Sequence, residues 1–130
     1  METKIVKDKI NRSELKTLAY KHAVSKEKWQ TLTLAEQLGN IGSEVGRAAK
    51  WQAKDENSFW GAVSRALDLF DLTQGDSRWK SRRTELDRAR EVFADAVLGG
   101  REYKSDLRDL EKYFMLFALA ATTGRKSPRS

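Results

Sequence analysis

Apolar residues recur along most of this chain at alternating spacings of three and four, the period of one helix face. Leu34, Leu38, Ile41, Val45 and Ala48 form the first long stripe, opened by Thr33 and Glu36 as a capping box. Phe59, Val63, Ala66, Leu67 and Phe70 form a second, with Asn57 or Ser58 as the cap and Gly75 as the stop. Asp76 is placed to cap a third, carrying Trp79, Leu86, Ala89, Phe93, Ala96 and Val97 inward and stopping at Gly99 and Gly100. Ser105 or Asp106 opens the fourth, where Leu107, Leu110, Phe114, Phe117 and Ala121 repeat before Gly124. The predicted helices cover about 33–54, 58–74, 77–98 and 106–122. Their connections are short, so successive helices should be antiparallel neighbours. The expectation is an all-α, antiparallel up-down four-helix bundle over residues 29–122.

The first 28 residues read differently. Ile5, Val6 and Ile10 alternate with charge, and Asn11 with Glu14 can cap a short helix bearing Leu15, Leu18, Ala19 and Ala23. A helix of this length is marginal alone and needs something to dock on. Residues 1–28 are therefore expected to be a basic arm with a short helix, and residues 123–130 a disordered basic tail.

Beside the apolar stripe of the first long helix runs a row of small residues: Ala35, Gly39, Gly42, Gly46, Ala49 and Ala53. Each interior glycine costs about 1 kcal/mol relative to alanine in a helix. Three glycines held in one register imply close approach of another backbone. Two occupants fit: a helix of the same chain, with the Ala62/Ala66 face as the candidate, or a partner helix in a homo-oligomer or protein complex. A phosphate-cradling loop does not fit, because these glycines lie inside a helix rather than at its start.

Charge narrows the partners. The net charge of +6 is uneven: residues 1–28 hold eight basic and four acidic groups, residues 29–121 fourteen and fifteen, and residues 122–130 three basic groups. The bundle itself is nearly neutral, which weakens any reading of it as a polyanion-binding body. One basic cluster stands out at the start of the third helix, with Arg78, Lys80, Arg82, Arg83, Arg88 and Arg90 against Glu85 and Asp87. Arg78, Lys80, Arg82 and Arg83, with Lys126 and Arg129 of the tail, are the candidate phosphate contacts for RNA or DNA. The bland alternative is a solvated face of local ion pairs, and Trp79 falls in the core register rather than on a stacking surface.

Catalytic chemistry finds little purchase. There is no Cys, which excludes disulfides and thiolate metal sites and suits the cytoplasmic location expected here. His22 is the only histidine, so a di-iron bundle with two Glu-x-x-His pairs is excluded. Helical ribonucleases of the HEPN kind use an Arg followed within a few residues by His, and Arg12 is too far from His22. Glu36 and Glu44 on the first helix and Asp68 and Asp71 on the second are weak candidates for Mg²⁺. They loosely resemble the carboxylates of all-α nucleoside triphosphate pyrophosphatases of the MazG type. That family's paired-Glu motif is missing, and Asn40 stands where a carboxylate would help. Glu44 with Arg47 and Arg65 with Asp68 are the ordinary local pairs expected in its place. No cofactor is implied. The apolar run Tyr113 to Ala121 is about half the ~20 residues a membrane span needs, and no membrane partner is expected.

From Trp29 onward the chain resembles a group of small uncharacterised prokaryotic helical proteins. The matching segments are LAEQLGNIGSEVGRAAKW at 34–51, RALDLFDLT at 65–73 and LEKYF at 110–114. The resemblance covers residues 29–121 and implies a fold, not an activity. Residues 1–20, with KIVKDKINRSELKTLA at 4–19, resemble the opening of a different small uncharacterised family. The functional expectation is a non-catalytic helical-bundle module acting through self-association or macromolecular contact. An RNA- or DNA-binding accessory protein and a Mg²⁺-dependent nucleotide pyrophosphohydrolase are the alternatives.

Overall fold

A computed structural model describes the backbone of residues 25–126 and the side chains of residues 25–120. The described chain is all-helical: α1 (Lys26–Trp29), α2 (Leu34–Trp51), α3 (Glu56–Gln74), a 3-10 segment (Ser77–Arg82), α4 (Arg83–Val97) and α5 (Leu107–Lys126). Helices α2 to α5 form an antiparallel up-down four-helix bundle. Antiparallel order is visible in the pairings, since Gly39, Gly42 and Gly46 of α2 meet Ala118, Phe114 and Glu111 of α5 in descending order. Likewise Asp71 and Gln74 of α3 meet Arg90 and Asp87 of α4.

The apolar stripes become the core because each presents one helix side to the same interior. Leu38, Ile41, Val45 and Ala48 of α2, Phe59, Val63, Ala66 and Phe70 of α3, Leu86, Phe93 and Ala96 of α4, and Leu107, Leu110 and Phe114 of α5 are all buried. Phe70 sits at the centre, its ring 5.8 Å from Phe93 and 6.0 Å from Phe114. Trp29 of α1 is wholly buried and closes the end of the bundle where α2 begins and α3 ends.

The ends depart from expectation in four places. Helix α2 stops at Trp51, and Ala53 lies exposed in the following turn with φ of 63°, so it is not part of the small-residue row. Asp55, not Asn57 or Ser58, stands at the N-cap of α3, and Ser58 instead donates its hydroxyl to the Asp55 carboxylate at 2.8 Å. The third element does not begin as an α-helix at position 77. Asp76 caps the 3-10 segment by accepting from the Arg78 N–H, and the backbone bends at Trp79 (φ −106°, ψ 25°) before α4 starts at Arg83. At the far end α5 runs on through Gly124 to Lys126.

Other boundaries fall where expected. Thr33 and Glu36 exchange both capping hydrogen bonds, at 3.1 and 2.9 Å. Asp106 accepts the Asp109 N–H at 2.8 Å. Gly99 and Gly100 close α4 with φ of 114° and 75°, and the Gly100 N–H returns to the Asp95 carbonyl in a Schellman-type stop. The expected helix around Leu15–Ala23 lies outside the described residues, as do His22 and Arg129.

Candidate functional site

The small-residue face of α2 is covered by α5. A Cβ added to Gly42 would lie 2.5 Å from the Phe114 Cβ, and one added to Gly39 3.1 Å from the Ala118 Cα. At Gly46 the nearest atom is a carboxylate oxygen of Glu111 at 2.8 Å. The occupant is therefore the last helix, not the Ala62/Ala66 face of α3, and a partner helix has no room over Gly42. Ala35 and Ala49 flank the row, half-buried.

The candidate acidic set does not assemble. Among the described residues no group of three or more His, Cys, Asp or Glu side chains is placed to hold a metal ion. Glu44, mostly buried, accepts from Arg65 of α3 at 3.1 Å and from Arg47 at 3.0 Å. Arg65 thus reaches across the helix pair to Glu44 as well as lying one turn from Asp68. Asp71 faces Arg90 of α4 at 3.3 Å. Glu44 and Asp71 thus each tie two helices together.

The basic cluster is likewise engaged within the fold. Arg82 pairs with Glu85 at 2.6 Å, Arg83 with Asp87 at 3.5 Å and Arg88 with Glu91 at 3.9 Å. Arg78 is held hardest. Its guanidinium forks onto both oxygens of Asp76 at 3.0 and 2.7 Å, donates to the Leu32 carbonyl at 2.9 Å and stacks 4.4 Å from the centre of the Trp79 ring. Lys80 is exposed. Lys126 and Arg129 have no described side chains.

Arg78, itself exposed, caps a polar knot around the buried Asp76 that no sequence pattern announced. Gln37, wholly buried, donates to the Trp29 carbonyl at 2.9 Å and to Asp76 at 3.2 Å, and accepts from the Trp79 indole N–H at 3.0 Å. The Trp29 indole N–H donates to the Thr73 hydroxyl at 3.0 Å. The Arg78 side chain and the other donors around Asp76 outweigh its burial and hold the carboxyl at about 2. The knot joins α1, α2, α3 and the 3-10 segment with its partners inside the protein, as a structural network does.

The outer side of α5 is different. Tyr113, Met115, Leu116 and Leu119 are 49%, 50%, 64% and 59% exposed. On one flank, Met115 and Phe114 join Gly39, Ser43, Arg47 and Lys50 along a groove of about 360 Å³ between α5 and α2. On the other, Tyr113 and Leu110 join Ala89, Val92, Arg82 and Arg88 along a groove of about 540 Å³ between α5 and α4. The unbroken run Tyr113–Ala121 carried this signal in the sequence. Measured only against the length of a membrane span, it pointed nowhere.

These features define an all-α four-helix-bundle protein with an apolar outer helix face and no assembled metal cluster among its described residues. Compared with protein-family models, with curated proteins and with solved structures, the chain matches none. No helix among the described residues is long and apolar enough to cross a membrane.

Proposed function

We propose that this chain is a non-catalytic helical-bundle module that acts by association, using the outer face of α5. One observation carries the reading: Met115, Leu116 and Leu119 lie at least half exposed on the outer side of α5, with Tyr113 exposed beside them on its α4 flank. Scattered apolar residues on a surface need no explanation, but a contiguous patch of this kind marks a contact site. The ion pairing of Arg78, Arg82, Arg83 and Arg88 favours association over nucleic-acid binding, because each must give up a carboxylate before it can neutralise a phosphate and free that phosphate's counterions.

The test is photo-crosslinking of the full chain in its own cells, with the reactive group at position 116 and, as a control, at exposed Lys54. Adducts formed from position 116 and absent from position 54 are expected. Their absence from both positions would overturn the reading.

A further inference from the structure

We infer that the occupant of the α5 face is a second copy of this chain, the two α5 helices pairing antiparallel about a two-fold axis. The inference rests on the association reading and names its partner. From Tyr113 to Ala121 every residue is apolar, so this half of α5 has no polar side to turn toward water. Phe114, Phe117 and Ala118 take the inner side, while Met115, Leu116 and Leu119 stay at least half exposed. A helix that is apolar around its whole circumference is a buried helix.

Charge selects among the surfaces that could bury it. On the first half of α5 the cations Arg108 and Lys112 are matched by Asp109 and Glu111, and Arg125 and Lys126 follow only beyond the apolar run. On the neighbouring helices the arginines beside the face are already in ion pairs, Arg47 with Glu44, Arg82 with Glu85 and Arg88 with Glu91, and Lys50 lies over the Trp51 ring at 5.0 Å. A border so balanced offers little extra attraction to a polyanion or an anionic lipid surface. The same border on a second copy meets it with no excess of like charge. The surplus cations lie instead at residues 1–28 and 122–130, where the net charges are concentrated.

Size and symmetry agree. The four exposed side chains present on the order of 300–400 Å² of apolar surface, the scale of the larger patches on single chains. With a polar border in the usual proportion, that gives about 500–700 Å² per partner, the low end of the range for specific interfaces. Tyr113 and Leu119 lie three positions either side of Leu116. An antiparallel pair centred on Leu116 sets Tyr113 of each copy at the height of Leu119 of the other. The contact is then isologous and closes at two chains.

The test uses the full chain, whose lack of cysteine makes Leu116→Cys a single-thiol reporter. Light scattering is expected to give twice the mass of one chain, falling to half in Leu116→Lys/Leu119→Lys with an unchanged circular dichroism spectrum. Mild oxidation of Leu116→Cys is expected to give a disulfide-linked dimer, whereas Lys54→Cys stays monomeric. If the double variant fails to fold, the oxidation result decides alone. A single-chain mass together with no Leu116→Cys dimer would overturn the inference. Position-116 photo-adducts to another molecule would then leave the association reading standing, and adducts to residues 1–24 of the same chain would name the arm as the occupant. No adducts at all would remove both.

Discussion

Gly42 and Phe114 approach so closely that a Cβ on the glycine would lie 2.5 Å from the phenylalanine's Cβ. Phe114 cannot yield, since its Cβ is fixed to α5 and its ring is packed against Phe70. Gly42→Ala would gain up to about 1 kcal/mol in helix propensity. It would also force α2 and α5 apart, and overpacking of this kind costs about 1–3 kcal/mol. The expected result in urea unfolding is a net loss of stability of about 1–2 kcal/mol. Gly61 in α3 is the internal control, because its nearest neighbour is the tip of Arg65 at 3.4 Å. Gly61→Ala should raise stability by about 0.5–1 kcal/mol. Equal effects at the two positions would contradict the close packing of α2 on α5.

Gln37 satisfies three buried groups at once: the Trp29 carbonyl, the Asp76 carboxylate and the Trp79 indole N–H. Gln37→Leu keeps the volume but takes the acceptor from the Trp79 indole N–H, while the Trp29 carbonyl keeps the Leu32 N–H and Asp76 keeps Arg78. Leaving buried polar groups unpaired costs about 1–3 kcal/mol each before relaxation. A loss of about 1–2 kcal/mol is expected in thermal or urea melts, accompanied by increased solvent exposure of Trp79 fluorescence.

Asp76 links stability to acid. Its carboxyl titrates near 2 in the folded chain, against an ordinary value of 3.8, chiefly because Arg78 bonds its charged form. A folded-state pKa below the unfolded one contributes stability in full above about pH 4, and that contribution fades as pH falls toward 2. Asp76→Asn should therefore destabilise the chain most at neutral pH, by about 1.5–3 kcal/mol. The gap between wild type and variant should narrow from pH 4 to pH 2. A gap independent of pH would show that the charge of Asp76 contributes nothing.

Arg82 and Arg83 make only exposed pairs within their own helix segment, with Glu85 and Asp87. Such pairs contribute about 0–1 kcal/mol. Arg82→Ala/Arg83→Ala should leave the melt within about 0.5 kcal/mol of wild type. A larger loss would mean that this basic stretch holds the bundle together.

Much of the bundle was readable along the chain. The stripe Leu38, Ile41, Val45, Ala48 names a buried face because a helix returns to the same side every three or four residues. The Thr33/Glu36 capping box was legible for a similar reason, as both partners lie within one turn. Helix ends whose geometry depends on distant groups were less so. The bend at Trp79 accompanies an indole donating to Gln37, forty-two positions earlier, and local pattern carries no trace of that bond.

The residues themselves determined which side of each helix is apolar, that Gly39, Gly42 and Gly46 leave a shallow face, and that charge gathers at the chain's ends. Those properties follow from side-chain type and the fixed period of the helix. Only the tertiary structure decided that α5 fills the glycine face, that Glu44 and Asp71 are drawn into ion pairs between helices, and that Leu116 and Leu119 are left outside. Each of those outcomes depends on which of several compatible faces meet in space. An apolar helix surface declares that it must be covered, but the packing of the whole chain determines what covers it.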